Sequence, residues 1–342
     1  MTAPFDTDFP IVQAPMAGVQ GSALALAVAN AGGLGSLPAA MLSPAALRGE
    51  LEALNAGTRR PYNVNFFCHA APVADAAREH AWREALAPYY REFGIDVDAA
   101  NAGAARGAFG EAHAELVEAF KPAVVSFHFG LPSAELVARV KAAGAKVIAS
   151  ATTLAEARWL EANGVDAVIA QGLEAGGHRG AFLDEDPTLQ IGTFALLPQI
   201  VRALRVPVIA AGGIADASGV AAALALGASA VQVGTAFLCC PEATTSPVHR
   251  AALTSPSAAH TAVTNVFSGR PARGIVNRLM RELGPMSALA PSFPLAAEAV
   301  APLRAYAERN GSGDFSPLWA GQNASRCETI GAAKLTRRLA GL

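Results

Sequence analysis

The residues best suited to chemistry cluster in one stretch, Ala167-Val-Ile-Ala-Gln171-Gly172-Leu-Glu174-Ala-Gly176-Gly177-His178-Arg179-Gly180. An apolar run gives way at once to glycines, one acid and one histidine. Histidine titrates near neutrality and is the usual side chain for taking a proton from carbon. His128, in Ser126-Phe-His128-Phe-Gly130, is the second histidine in such company, and His69 ends a third apolar run. Read alone, His128 and His178 suit a buried, hydrogen-bonded structural role equally well. His80, His113, His249 and His260 read as surface or structural residues, and Cys68 as packing.

Around the histidines stand amides and glycine pairs. Gln13, Asn65, Gln171 and Gln232 each end an apolar run. Amides both donate and accept hydrogen bonds, which suits the polar edge of an isoalloxazine ring. Gly176-Gly177 would let the backbone lie against its face. Gly212-Gly213 and Gly234-Thr235 could bind phosphate through backbone N–H groups, without any Lys or Arg. FMN fits this set better than a sugar phosphate, for which more charged groups are expected. Tight helix–strand packing is the plain alternative for the glycine pairs.

Such residues need strands that end together. Runs starting at Pro10, Leu34, Tyr62, Ala123, Lys146, Ala167, Pro207 and Ala230 read as buried strands. Helices alternate with them. Ser43-Pro44 opens one, and Thr153-Leu-Ala-Glu156 reads as a capping box opening another. Eight such alternations predict an α/β fold, a (β/α)8 TIM barrel. An open doubly wound sheet is disfavoured, because no Gly-x-Gly-x-x-Gly follows a strand. The rhythm breaks twice. Residues 70–121 predict a helical insertion plus a crossover helix. Residues 241–311, without strand signals, predict a small helical domain covering the site. Residues 1–240 then form the FMN-binding barrel, completed by 312–342 with a last helix over Glu328 to Leu339.

Composition narrows the partners. Of 342 residues, 16% are charged and the net charge is -2, with no basic block for nucleic acid. The four cysteines form no Cys-x-x-Cys pair, so no metal site is expected. The N-terminal residues lack a signal-peptide pattern, and Ala217 to Cys240, though uncharged, holds too many small and polar residues for a membrane span. The expectation is a cytoplasmic protein, monomer or homodimer, without membrane or nucleic-acid partners.

In combination, Gln13-Ala-Pro-Met-Ala-Gly18, Asn65-Phe-Phe-Cys-His69, Ser126-Phe-His-Phe-Gly130, Glu174-Ala-Gly-Gly-His-Arg-Gly180, Ala211-Gly-Gly-Ile214, Gln232-Val-Gly-Thr235 and Leu318-Trp-Ala-Gly-Gln322 resemble the nitronate monooxygenases, formerly 2-nitropropane dioxygenases. The Asn-Phe-Phe-Cys-His and Ser-Phe-His-Phe-Gly segments resemble the class I members. Glu-Ala-Gly-Gly-His alone is shared with flavin-dependent enoyl-thioester and quinone reductases. The resemblance implies non-covalent FMN held by Asn65, Gln171, Gly176, Gly213, Gln232, Val233, Gly234 and Thr235, and the glycine pairs read above add Gly177 and Gly212 as expected cofactor contacts. It implies His178 as catalytic base toward neutral nitroalkanes and His128 as a second active-site histidine. The implied reaction oxidises alkyl nitronates with O2, through a flavin semiquinone, to a carbonyl compound and nitrite. Propionate 3-nitronate, a toxin, is the implied natural substrate, and detoxification the implied role. Three other readings stay open: an NAD(P)H-dependent FMN reductase of quinones or enoyl thioesters, a non-catalytic flavin-binding barrel, and a phosphosugar isomerase.

Overall fold

The computed structural model describes residues 4–96 and 107–342. The strands are β1 (Ile11–Gln13), β2 (Gly35–Pro38), β3 (Tyr62–Phe67), β4 (Val124–His128), β5 (Lys146–Ala151), β6 (Ala167–Gln171), β7 (Gly177–His178), β8 (Val208–Ala211), β9 (Ala230–Val233), β10 (Thr261–Thr264) and β11 (Ala272–Ile275). Eight of them pair in parallel in the order β1-β9-β8-β6-β5-β4-β3-β2. A parallel bridge between Val12 and Leu34 brings the two ends together. The fully buried Gln13 carboxamide reinforces this short seam, its Oε1 accepting from the Ser36 N–H at 3.0 Å. Gln13 is therefore a stitch in the barrel wall. The fold is the expected α/β TIM barrel.

Strand alternation decides what faces the barrel axis. In β3, Tyr62, Val64 and Phe66 pack in the core shared with the helices, so Asn63, Asn65 and Phe67 point the other way. In β6, Val168 and Ala170 face the helices while Ala167 and Ile169 fill the barrel interior. The same parity turns His128, Gln171 and Gln232 inward at the C-terminal ends of β4, β6 and β9. These strands are buried on both faces, so their apolar runs are nearly continuous and conceal the alternation.

Helix starts follow local chemistry. Ser43 caps Pro44–Gly57 by accepting from Ala46 N, and Asp216 caps Ala217–Ala225 through Gly219 N. Thr153 caps Leu154–Ala162 as expected. Glu156 does not close the capping box. Its buried carboxylate accepts instead from Thr152 N at 2.7 Å and from Phe182 N at 2.6 Å, tying the β5 loop to the segment after His178. The last helix starts at Ala332, four residues later than expected, after Gly331.

The two breaks in rhythm share one core. Trp82, Leu86, Tyr89 and Tyr90, on helix Ala76–Phe93, pack with Val266, Phe267, Leu279, Met280, Val300, Leu303 and Phe315. Trp82 Nε1 donates to the Ala296 carbonyl at 3.2 Å, and Tyr90 OH to that of Ala299 at 2.6 Å. Part of the expected insertion, including Gly103, lies outside the described residues. The expectation of a purely helical 241–311 is corrected. β10 and β11 form an antiparallel pair, and β11 continues onto β7, with Ala272 opposite His178. Each strand is only four residues long, and Gly274 interrupts one of them, so no local run announces them. Among the described residues, no helix is long and apolar enough to cross a membrane.

Candidate active site

A cleft enclosing about 1390 Å³ of free space, its mouth included, opens at the C-terminal ends of the barrel strands. It brings together Asn65, His128, Gln171, Gly176, Gly177, His178, Gly212, Gly213, Gln232, Gly234 and Thr235. Val233 does not line it. By strand parity Val233 sits in the core beneath the helices. Among the described residues the lining holds no Asp, Glu, Lys or Arg.

His178 sits on β7, joining the barrel to the second sheet. Its Nε2 lies 2.9 Å from Ser268 Oγ, a hydroxyl supplied by the segment between β10 and β11. Two side chains grip its carbonyl. Gln171 Nε2 donates at 3.1 Å and His128 Nε2 at 3.2 Å. The Gln171 Oε1 accepts from Gly180 N at 2.7 Å, so one amide fixes the backbone on both sides of Arg179. Aromatic rings wall the imidazole, with centroids 5.3 Å away for Phe293, 5.5 Å for Trp319 and 6.3 Å for Phe67.

His128 is differently employed. Donation from Nε2 to a carbonyl requires the Nε2–H form, and Nδ1 then accepts from Ser150 Oγ at 3.1 Å. Burial, helped by the Arg270 and Arg179 charges, pushes its pKa down to about 3. His128 is thus a neutral bracket for the His178 backbone, with both ring nitrogens engaged. His249, expected at the surface or in a structural role, is buried and borders the cleft, its Nε2 3.0 Å from the Trp319 carbonyl oxygen. Burial pushes it down to about 4. Burial raises the Cys68 thiol far above its usual range, in keeping with packing.

A pH dependence of stability follows. The unfolded chain protonates both histidines near 6.5, and the folded chain resists until about 3 for His128 and about 4 for His249. Protonation therefore favours unfolding. This stability is complete above about 6.5 and is lost as pH falls toward the folded-state values. Between pH 7 and 5 we expect a loss of roughly 2 kcal/mol per histidine, at about 1.4 kcal/mol per unit. Denaturant melts at the two pH values read it directly. Equal unfolding free energies would show that the histidines are not buried neutral.

Three guanidinium groups hold the glycine loop, and sequence reasoning missed all three roles. Arg179 Nη2 donates to the Gln171 carbonyl at 2.8 Å, Arg273 Nε to that of Leu173 at 2.9 Å, and Arg270 Nη2 to that of Ala181. Arg179 is almost wholly buried, and burial pulls it down to about 9. Glu174 faces away from His178. Its carboxylate accepts from Thr193 N and Oγ1, clamping the loop to the start of helix Thr193–Ala203.

The return segment ties three barrel loops together. Gly321 N donates to Thr235 Oγ1 at 2.9 Å, Gln322 N to the Glu174 carbonyl at 2.9 Å, and Asn323 Nδ2 to that of Gly213 at 3.0 Å. A Cβ on Gly176 would lie 2.5 Å from the Ala320 carbonyl carbon, so this glycine is needed for loop packing. Gly177 differs, since its φ of +73° needs glycine while open space lies where its Cβ would be.

The cleft fits a flat, polar-edged ligand. Gln232 Oε1 is buried with no hydrogen-bond partner, an acceptor awaiting an N–H. Asn65 spends its Nδ2 on Ser126, at 2.9 Å to Oγ, which leaves Oδ1 for a ligand. Gly212 and Gly213, at φ +120° and +73°, and the turn Thr235–Cys239 offer backbone N–H groups suited to phosphate.

Comparison with known proteins agrees with this geometry. The sequence model of the family described as nitronate monooxygenase matches residues 1–339. A nitronate monooxygenase of Paraburkholderia phytofirmans is 44% identical over 337 residues, 97% of this chain and 91% of that one. One from Pseudomonas aeruginosa is 45% identical over 335 residues, 96% of this chain and 95% of that one. The crystal structure of nitroalkane oxidase from Streptomyces ansochromogenes superposes with a TM-score of 0.89 at 40% identity, covering 98% of this chain and 95% of that chain. FabK from Thermotoga maritima superposes with a TM-score of 0.70 at 28% identity, covering 98% and 92%.

Proposed function

The chain belongs to the nitronate monooxygenase family, and from that premise we propose that this oxidoreductase uses non-covalent FMN and O2 to convert alkyl nitronates to a carbonyl compound and nitrite. The observation that carries this reading is the pairing of His178 with an uncharged, amide-lined cleft in which Gln232 Oε1 stands buried and unpartnered. A phosphosugar isomerase would need charged acid–base groups there.

Gln232 and Asn65 would hold the polar edge of the FMN ring, and the Gly212-Gly213 and Gly234-Thr235 backbones its phosphate. Bound FMN would supply the redox chemistry, taking electrons from the nitronate and delivering them to O2. The remaining work falls to the protein. With a neutral nitroalkane, the His178 imidazole takes the α-proton as general base. Ser268 orients that ring, while His128 and Gln171 fix the backbone that carries it. Phe67, Phe293 and Trp319 keep water from the proton acceptor. Preformed nitronates need no proton removal and use only the positioning. Propionate 3-nitronate is the natural substrate we would assay first.

The test is product analysis in air. The purified protein should release FMN on denaturation and form nitrite from a nitronate with uptake of O2. A colourless protein, or nitronate left unconsumed, would overturn the proposal. Ser268→Ala should lower kcat on neutral nitroalkanes about tenfold while leaving turnover of preformed nitronates within about twofold. An equal loss on both substrates would remove Ser268 from proton transfer.

A further inference from the structure

Two thiols meet where the return segment crosses the β9 loop. Cys239 ends the turn Thr235–Cys239, and Cys327 lies 88 residues later. Both belong to one apolar cluster with Leu238, Leu253, Ile275, Leu318 and Ala320. The two thiols lie close enough for each to shift the other's ionisation. Cys327 also donates to the Thr235 carbonyl at 3.3 Å. Cys240, although adjacent in sequence, belongs to the separate core beneath the barrel helices, and Cys68 packs at that core's edge. Cys239 and Cys327 thus share a cluster that neither Cys240 nor Cys68 joins. Cys327 is half-buried, which gives a small oxidant a route to the pair.

We propose that Cys239 and Cys327 form a reversible disulfide with hydrogen peroxide as oxidant, a clasp that closes the return segment over the phosphate-binding turn. The chemistry is balanced in two steps. The Cys239 thiolate attacks one peroxide oxygen, the O–O bond breaks, and sulfenic acid and hydroxide result. The Cys327 thiol then attacks the sulfenic sulfur, the S–S bond forms and water leaves. Two thiols lose two electrons and two protons, and one peroxide becomes two waters. The neighbouring Cys327 thiol, and after it the Arg250 charge, lower the Cys239 thiol while Cys327 is raised, which favours this direction of attack. Dithiol reductants reverse the reaction.

The clasp would act on the site through Thr235, which already binds both the return segment and, in the function proposed above, the FMN phosphate. The expectation about FMN retention rests on that function. The disulfide itself does not.

The experiment treats the FMN-loaded, full-length enzyme with a small excess of hydrogen peroxide. Free thiols are counted after unfolding, the intact mass is measured and disulfide-linked peptides are mapped. We expect the four thiols to fall to two, with the mass lower by two hydrogens. We also expect one linked peptide pair, Cys239 with Cys327, and FMN release slowed at least about threefold until dithiothreitol is added. Cys327→Ser should abolish both the link and the slowing. Four surviving thiols, oxygen addition without a crosslink, or a link involving Cys240 or Cys68 would each overturn the disulfide. A disulfide that forms without changing FMN release would overturn the clasp. Absence of FMN altogether would instead count against the proposed function, because the thiol count and peptide map are read without it.

Discussion

His178→Asn should give a yellow, folded protein that has lost most of its turnover of neutral nitroalkanes but keeps most of its turnover of preformed nitronates. General-base catalysis contributes roughly 10²–10⁴-fold, and this substitution removes the base. We expect kcat/KM on a neutral nitroalkane to fall about 10³-fold, or about 4 kcal/mol of transition-state stabilisation. A preformed nitronate has already lost its α-proton, so its kcat/KM should fall less than about tenfold. The variant should fold and bind FMN because the backbone around position 178 is held by other groups. Gln171 and His128 grip the residue's carbonyl, and the β7–β11 pairing needs only main chain. Measuring both substrates on one FMN-loaded preparation decides the matter. Equal losses on the two would mean that His178 positions substrate and does not take its proton.

Gly212→Ala should yield a folded protein that binds FMN at least about 100-fold more weakly, roughly 2.7 kcal/mol. Gly212 has φ +120°, outside what alanine adopts without strain. Its added Cβ would lie 2.8 Å from Thr193 Oγ1, 3.1 Å from Ala175 N and 3.2 Å from the Gly172 oxygen. Two of these neighbours are backbone and cannot swing away. The loop must shift, disturbing Gly213, whose carbonyl holds Asn323. Gly94→Asn is the control. It also has positive φ, +63°, but open space around it and no part in the cleft. Fluorescence titration with FMN compares the two variants. Native-like affinity in Gly212→Ala would show that this loop does not hold the cofactor.

What could be read from the sequence was whatever a strand or turn declares locally. Asn65, His128, Gln171 and Gln232 end apolar runs, and the barrel's alternation turns all of them into one cleft. Gly212 and Gly213 were legible as turn glycines, and both have positive φ. Ser268, Arg270, Arg273 and Phe293 were not legible. The first three reach His178 and its loop through the β10–β11 pair and its pairing to β7, which joins residues about ninety apart, and Phe293 comes from the segment before helix Ala296–Arg309. Four-residue strands carry too short a pattern to announce such pairing. Arg179 stood in a quoted motif, yet its task, gripping the Gln171 carbonyl, depends on a loop fold that no spacing reveals. Glu156 had the right spacing for a capping box but was drawn to Thr152 and Phe182. His128, which the resemblance implies as a second active-site histidine, does line the cleft. Its two nitrogens meet Ser150 and the His178 carbonyl, which makes it a positioning residue in the reading proposed here.

The central claim is that this cleft oxidises nitronates with flavin, without drawing on nicotinamide. Anaerobic mixing of the purified enzyme, separately with propionate 3-nitronate and with NADPH or NADH, tests it most directly. The account predicts that the nitronate lowers the visible absorbance of the bound flavin within the turnover time without bleaching it fully, as one-electron reduction does. Neither nicotinamide should change it, and admitting air should restore the colour and release nitrite. Full bleaching by nicotinamide, with no response to the nitronate, would contradict the account and place the enzyme with the flavin-dependent reductases that share its barrel.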